Sequence, residues 1–261
     1  MKQTLLAVLL ISILASGCSS QPEAEDDLVS ARKAYVERQY LEAERLYERY
    51  LKIHQQSAER WEVWNKLYEL AYNVRNNSQD AMELLEAMFL EFGDQAGRAK
   101  DILYRLGALC MDTRNMDKAI EVWQRLLNLP ESTPVDQAKA YRNIGEAYLY
   151  TGDYDLAIDA LRACVELKVN DLEHARCLFD LAQTQFYLEN YHAAEKTLEQ
   201  VIQTPNMDEE LHALVVLLLS DVYDQLGKTK QSIVLLESIL HTYPNPMAIE
   251  KRLEYLHQRV K

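Results

Sequence analysis

Residues 144–161 read IGEAYLYTGDYDLAIDAL, two apolar-patterned segments separated by a short polar break, TGDY. Apolar residues three and four positions apart on each side predict two amphipathic helices. The glycine in the break predicts a turn between them. Gly145 in the first segment precedes Ala157 in the second by twelve positions, and small residues that face each other let two helix axes approach closely. The stretch therefore predicts one α-helical hairpin.

The same pair of small residues recurs along the chain. Successive copies of the first position lie 38, 38, 38, 37 and 38 residues apart, and the twelve-residue step to the second position is kept in all six copies. Glu69 is the single residue of the first set that is not small. The first position is occupied by Ala31, Glu69, Gly107, Gly145, Ala182 and Ser220, and the second by Ala43, Ala81, Ala119, Ala157, Ala194 and Ser232. The hairpin is therefore one unit of an array.

The composition agrees with an all-α array. Only 7 Gly and 6 Pro occur among 261 residues, too few for the many turns of an all-β protein, whereas long stretches rich in Ala, Leu, Glu and Gln favour helix. A single hairpin cannot bury its apolar stripe alone, so neighbouring hairpins must stack to form a continuous core. We expect an α-solenoid of about six hairpins.

The units resemble tetratricopeptide repeats, which have an aromatic residue, Leu-Gly and Tyr on the first helix, then Ala and a bulky residue on the second. Here these residues are Tyr141, Ile144, Gly145, Tyr148, Ala157 and Leu161. The resemblance covers residues 26–245, with units starting near residues 26, 63, 100, 138, 175 and 213. It implies a right-handed solenoid whose first helices line a concave groove for an extended or helical peptide. The second unit departs most from the pattern, because it has Glu69 and no glycine in its turn.

The C-terminal residues 246–261 predict one further helix. Ile249, Leu253, Leu256 and Val260 are spaced so that they share one helical face, while the charged residues between them point away. Arrays of repeats need such a terminal helix to cover the apolar surface of the last unit. We therefore expect residues 246–261 to form a capping helix.

Residues 1–17 have the layout of a secretory signal, with Lys2 followed by an apolar run at residues 5–14. The run is shorter than the roughly 20 residues that cross a bilayer. Residues 14–18, LASGC, resemble the lipobox of bacterial lipoproteins. That resemblance implies that Cys18 is acylated and becomes the new N-terminus, with residues 18–25 as a short tether. A plain signal peptide or an uncleaved membrane anchor is the alternative.

The residue after Cys18 bears on the choice of membrane. In lipoproteins of enteric-type bacteria an Asp at that position favours retention in the inner membrane, and here the residue is Ser19. We therefore expect an outer-membrane protein that faces the periplasm, although the inner membrane remains open.

The formal net charge is −13, and no basic stripe interrupts it, which excludes phosphate-driven binding of nucleic acid. Anionic headgroups repel such a body, so the lipid must attach it to the membrane.

Motifs of catalysis and metal binding are missing from the sequence. The six histidines are scattered without an HExxH motif, and no Walker loop, GxSxG or dinucleotide-binding glycine set occurs. Most carboxylates are expected at solvated helix positions. We therefore predict no catalytic residue, no metal ligand and no cofactor, and a protein that is not an enzyme.

Cys164 and Cys177 lie on consecutive helices and form either a disulfide or two buried thiols; the sequence leaves this open.

The predicted groove is the one functional surface that the resemblance suggests. By register, its positions in the fourth and fifth units are rich in aromatic and basic residues, which are the usual anchors of protein interfaces. Glu146 stands where the carboxylate clamp of chaperone-binding relatives has Asn. The alternative is that the rings pack between neighbouring first helices as core. The predicted groove residues are Lys139, Arg142, Leu149, Tyr150, Arg176, Phe179, Gln183, Phe186 and Tyr187.

These features predict a lipid-anchored scaffold of the bacterial cell envelope that binds a segment of an envelope protein in the groove. In layout the chain resembles pilotins of type IV pilus secretins, the repeat lipoprotein of outer-membrane barrel assembly, and adaptors of peptidoglycan enzymes. One alternative is an enzyme or small-ligand protein that uses the groove. A second is a structural lipoprotein that associates with itself. The sequence does not identify the partner or the pathway.

Overall fold

The computed structural model describes residues 22–205 and 207–260, with side chains from Asp27 onward. The predicted signal peptide, Cys18 and most of the predicted tether lie outside these residues. All regular structure in the described ranges is helical and includes no strand, which confirms the predicted all-α fold. The helices are α1 Pro22–Val36, α2 Tyr40–Ile53, α3 Arg60–Glu69, α4 Ser78–Phe92, α5 Ala96–Asp112, α6 Met116–Leu127, α7 Pro134–Thr151, α8 Tyr154–Val165, α9 Asp171–Tyr187, α10 Tyr191–Val201, α11 Glu209–Gln225, α12 Thr229–Ile239 and α13 Pro246–Val260.

The chain forms two compact units that divide within α4, after Leu84. In the first unit α1 and α2 pack as a hairpin, and α3 packs on α2. Here Glu69 is held by two hydrogen bonds, from Tyr35 Oη at 3.1 Å and from Lys66 Nζ at 2.7 Å. Directly after Glu69 the α-helix gives way to one π-helical turn, Leu70–Val74. The departure that the sequence predicted for this hairpin is therefore a local widening of its first helix.

In the second unit the hairpins follow one another regularly. Helices pair as α5 with α6, α7 with α8, α9 with α10, and α11 with α12, and each second helix from α6 to α10 also packs on the next first helix. The first helices touch as well, α7 with α9 and α9 with α11. The exposed sides of α7, α9 and α11 therefore form one continuous face. We call it the first-helix face.

Close packing within a hairpin explains the glycines of the repeat. A Cβ atom on Gly107 would lie 2.6 Å from the indole ring of Trp123, and one on Gly145 would lie 2.7 Å from Leu161 Cγ. Trp123 and Leu161 are both almost fully buried. The small residue thus makes room for the bulky side chain sixteen positions later in its own hairpin. In the last hairpin Ser220 and Ser232 instead share a buried hydrogen bond of 2.8 Å.

Each hairpin turn contains one residue in the left-handed backbone region. These residues are Arg38, Asn76, Arg114, Gly152, Glu189 and Gly227. They follow one another with the same steps of 38, 38, 38, 37 and 38 residues as the small residues of the repeat. Left-handed geometry is free of steric cost only for glycine, so four of the six turns are formed at some cost in conformational energy.

A disulfide joins consecutive hairpins of the second unit. Cys164 of α8 is bonded to Cys177 of α9, with their Cα atoms 5.6 Å apart. Both cysteines are completely buried beside Ala138. Of the two possibilities that the sequence left open, the structure has the disulfide. Cys110 is a buried cysteine outside this disulfide, and burial raises its pKa to about 11.

The last helix covers the end of the array, as predicted. Ile249, Leu253 and Leu256 of α13 are buried in one apolar cluster with residues of α11 and α12. Val260, which the sequence placed on the same face, is 41% exposed, because it is the last residue of the helix. Across residues 22–205 and 207–260, the helices are all too short or too polar to cross a membrane.

Candidate functional site

A pocket of about 290 Å³ lies between α7 and α9 on the first-helix face. Its wall is mostly charged, with three cationic and three anionic side chains. We call it the charged pocket. It is lined by Val135, Lys139, Arg142, Asn143, Glu146, Glu173, Arg176 and Asp180.

Two arginines of the charged pocket are held in place by carboxylates. Arg142 Nε donates to Asp180 Oδ2 at 2.5 Å, which ties α7 to α9. Arg176 donates to Glu173 at 3.1 Å and to Asp208 at 3.2 Å, which ties α9 to the N-cap residue of α11. Ion pairs of this kind fix the guanidinium groups, so the pocket has a preformed shape.

Lys139 and Glu146 differ from these arginines, because neither has an ion-pair partner among the described residues. The Lys139 ammonium lies over the ring of Tyr104, 4.3 Å from its centroid. Partial burial of the Glu146 carboxylate raises its pKa, and the negative charge of Asp180 raises it further, while Arg142 acts in the opposite direction. Burial also raises the pKa of Asp180, against the effect of Arg142. Glu146 is therefore an exposed carboxylate without an ion-pair partner among the described residues.

Exposed tyrosines lie near the ends of the same helices. Tyr150 of α7 is 54% exposed and accepts a hydrogen bond of 3.3 Å from Arg114. Tyr187 of α9 is 60% exposed, and its ring lies 6.0 Å from that of Tyr154, which is also exposed. A hydrogen bond with Tyr187 raises the pKa of Tyr154. Aromatic rings in such positions are typical anchors for a bound protein segment.

The structure divides the residues that the sequence placed in the groove. Lys139, Arg142 and Arg176 line the charged pocket. Tyr150 and Tyr187 are exposed outside its lining, Gln183 is exposed, and Leu149 is half-buried. Phe179 is not accessible: it is 9% exposed and belongs to the core between α9, α10 and α11. Phe186 is half-buried and its ring lies 5.5 Å from that of Tyr191. For Phe179 the core interpretation is correct, because its position on α9 faces α11.

Sequence reasoning missed the acidic side of the pocket. Asp180 and Glu173 are ion-paired wall residues, and the general expectation of solvated carboxylates did not identify them. The repeat gave only a partial clue, because Asp180 follows Arg142 by 38 residues, one more than the 37-residue step between the fourth and fifth units. Exact register pairs Arg142 with Phe179, so the ion pair depends on the rotation of α9 against α7. Tyr154 was missed because it begins a second helix.

No metal centre is present in the part of the chain that the structure describes: no three or more His, Cys, Asp or Glu side chains are grouped to hold an ion. Cys177, which lies one helical turn from His174, is bonded to Cys164. The charged pocket is open and lined by both paired and unpaired charges. Stacked hairpins with such an exposed face define an α-helical repeat protein of the kind that holds partner proteins.

The comparisons with known proteins place this repeat protein in a family. The sequence model of the tetratricopeptide repeat matches residues 100–168 and 136–205, and a second tetratricopeptide repeat model matches residues 215–246. These ranges together take in just over half of the chain. The chain belongs to the tetratricopeptide repeat family. A search of curated proteins finds no match.

Solved structures share the fold at low sequence identity. PilW, described as a widely conserved type IV pilus biogenesis factor, is 16% identical, with 90% of this chain and 100% of PilW covered at a TM-score of 0.57. A tetratricopeptide repeat protein from Parabacteroides merdae ATCC 43184 is 14% identical, with 90% and 87% covered and a TM-score of 0.57. The apo form of RapI is 13% identical, with 91% and 71% covered and a TM-score of 0.59. At these identities the likeness concerns the fold alone.

Proposed function

We propose that this protein is a lipid-anchored scaffold of the bacterial cell envelope. Its first-helix face binds a segment of another envelope protein, and its N-terminal lipid on Cys18 holds the complex on the outer membrane, facing the periplasm. The protein acts by holding its partner in place, as tetratricopeptide repeats typically do, and the reaction chemistry is left to other proteins.

The observation that supports this function most directly is the charged pocket with its exposed tyrosines. Lys139 and Glu146 have no ion-pair partner in the described chain, and Tyr150 and Tyr187 expose more than half of their surface. Exposed aromatic rings are the usual anchors of protein interfaces, and charges without a partner on the same surface offer electrostatic complementarity to a bound segment. The same pocket is too open and too polar for a typical small-ligand site, which is concave and mostly apolar.

Two further features support the envelope location. The N-terminal sequence resembles a lipoprotein signal that ends at Cys18. The disulfide between Cys164 and Cys177 is of a kind that persists in oxidising compartments such as the bacterial periplasm. PilW, a type IV pilus biogenesis factor, shares the fold, so a role in pilus, secretion or outer-membrane assembly fits best among the envelope processes.

Partner binding is tested by photo-crosslinking in intact cells, with a photoreactive residue at Asn143 in the full chain. The double variant Tyr150→Ala/Tyr187→Ala should reduce the main crosslinked product at least about five-fold, because it removes two exposed anchors. Tyr255→Ala is the matched control, since Tyr255 is a similarly exposed tyrosine on α13 at 56%. An undiminished product in the double variant, with helicity unchanged, would refute binding at this face.

The anchor is tested separately with Cys18→Ser. Loss of the acylated cysteine should move the protein from the membrane fraction to the soluble fraction and remove labelling by radioactive palmitate, since each buried methylene contributes about 0.8 kcal/mol to membrane attachment. The variant Cys110→Ser, at a buried cysteine outside the disulfide, should leave both properties unchanged. Membrane retention of Cys18→Ser would mean that the attachment does not depend on this lipid.

A further inference from the structure

We infer that the charged pocket selects its partner by charge: an extended segment with one acidic and one basic side chain about three residues apart. The acidic side chain pairs with Lys139 and the basic side chain with Glu146. This inference rests on the proposed function, because it specifies which segment the first-helix face binds.

The two unpaired charges set the spacing. Lys139 and Glu146 are seven residues apart on α7 and line the same pocket, so their Cα atoms are separated by about 10.5 Å along the helix. A segment in the polyproline II conformation advances about 3.1 Å per residue and has three residues per turn, so side chains three residues apart lie on the same side of it. A segment that follows the pocket therefore passes from Lys139 to Glu146 in about three residues.

At one end of the pocket, the Glu146 carboxylate has no ion-pair partner among the described residues. Asp180 lies close enough to raise the pKa of Glu146, Arg142 acts on both carboxylates, and Arg176 acts on Asp180. Arg142 is held by Asp180 at 2.5 Å. Because the neighbouring guanidinium is already engaged, a cation from outside is the group that would neutralise Glu146. Lysine or arginine of a bound segment supplies it.

At the other end of the pocket, Lys139 is a cation without a carboxylate partner among the described residues. The ammonium lies over the Tyr104 ring, which is an attraction but leaves its hydrogen-bond donors without a carboxylate. The nearby acid Glu173 pairs with Arg176, which also pairs with Asp208. The carboxylates around Lys139 are therefore committed elsewhere, and an aspartate or glutamate from the partner is the complementary group.

The tyrosine beyond Glu146 gives the segment a direction. Tyr150 lies one helical turn after Glu146 on α7 and is exposed. A segment that runs from Lys139 past Glu146 then reaches an aromatic surface, which favours an apolar or aromatic side chain on the far side of the basic residue. The preferred order along the pocket is therefore acidic, basic, apolar.

Selection from a library tests this pattern directly. Random 12-residue peptides displayed on phage are selected on the purified full chain and, in parallel, on the double variant Lys139→Glu/Glu146→Lys. Wild-type protein should enrich peptides with an acidic and a basic residue about three positions apart. The variant should enrich the same spacing with the two charges in the opposite order relative to the apolar residue.

A second double variant controls for net charge and folding. Asp159→Arg/Arg162→Asp exchanges the charges of an exposed pair on α8, whose charged atoms lie 3.7 Å apart. It should enrich the same peptides as wild type. For a selected synthetic peptide, replacing either charged residue by serine should weaken binding to wild-type protein about five-fold, the effect expected when one partly exposed ion pair is lost.

The outcomes separate this inference from the proposed function. Peptides without the charge pair that still lose binding in Tyr150→Ala/Tyr187→Ala would overturn charge selection and leave binding at the first-helix face intact. An unchanged charge order in the variant Lys139→Glu/Glu146→Lys would also overturn charge selection. If no selected peptide loses binding in these variants, and the crosslink in cells is undiminished, then both charge selection and binding at the first-helix face are overturned.

Discussion

The second and fourth hairpins have the same repeat length but close their first helices differently. At the fourth turn Asp153 N donates to Tyr148 O, five residues back, at 2.9 Å. At the second turn Asn77 N donates to Ala71 O, six residues back, also at 2.9 Å. The extra residue is taken up by the π-helical turn that follows Glu69, and the left-handed residue Asn76 stays in step with the others.

The difference shows which features of the repeat are fixed. The position of the left-handed turn residue is kept in all six hairpins, whereas the small residue that precedes it is not. Where a large polar residue such as Glu69 occupies the small position, the helix widens locally and the side chain is satisfied by Tyr35 and Lys66. The change at the small position is thus accompanied by a local change of helix geometry, while the turn residue keeps its place.

The largest expected difference between the two units comes from the disulfide. Cys164 and Cys177 are separated by 13 residues, and closing a loop of about this size stabilises the folded state by about 3 kcal/mol. In Cys164→Ser/Cys177→Ser, urea denaturation should show this loss in the second unit, and a reductant should lower the stability of wild type but not of the variant. Cys110→Ser serves as the control for a cysteine change without a disulfide. Equal stability of wild type with and without reductant would contradict this expectation.

The packing comparison is tested by two alanine substitutions at equivalent positions. Gly107→Ala should lower the free energy of unfolding by about 2–3 kcal/mol, because overpacking against a rigid ring is costly and the new Cβ would lie 2.6 Å from buried Trp123. Glu69→Ala should cost less than about 1 kcal/mol, since it removes partly exposed hydrogen bonds. Urea titration monitored by circular dichroism measures both. A larger loss in Glu69→Ala would show that its polar contacts matter more than the space at the repeat position.

The ion pairs between hairpins also differ. In the second unit Asp136, buried at the start of α7, accepts hydrogen bonds from Lys100 at 2.6 Å and from the Thr133 backbone at 2.8 Å. Burial acts to raise its pKa, but the hydrogen bonds from Lys100, Thr133 and Tyr104 outweigh it and hold the pKa well below its usual range. In the first unit Arg32 and Glu62 form an exposed pair.

Asp136→Asn should therefore destabilise the protein by about 1–2 kcal/mol at pH 7, and Glu62→Gln by less than about 0.5 kcal/mol. Because the pKa of Asp136 is lower in the folded state, its contribution is complete above the pKa of the unfolded chain, near 3.9. It is lost as the pH falls toward the folded value. Stability measured from pH 7 to pH 2 should fall less steeply in Asp136→Asn than in wild type. Parallel pH curves would contradict the role of Asp136.

The array itself could be predicted from sequence because its evidence is periodic. The steps found from Gly145 and Ala157 reappear in the left-handed turn residues. What could not be predicted depends on the exact rotation of neighbouring helices. Phe179 and Arg176 lie three residues apart on α9, yet one is in the core and the other in the charged pocket. The disulfide likewise required the Cα separation, 5.6 Å, which spacing along the chain does not give.

The smallest expected effects compare two turns with the same backbone geometry. Gly152 has φ of 87° and Glu189 has φ of 58°. A left-handed backbone costs a non-glycine residue about 1 kcal/mol, so Glu189→Gly should stabilise the fifth hairpin slightly and Gly152→Ala should destabilise the fourth by about 1 kcal/mol. The stabilising change is smaller, because glycine also increases the entropy of the unfolded chain. Thermal unfolding of both variants measures the two shifts. Nothing lies within 4 Å of a Cβ atom on Gly152, so backbone strain is the expected cause of its shift. Shifts of the same sign in the two variants would contradict backbone strain as the common cause.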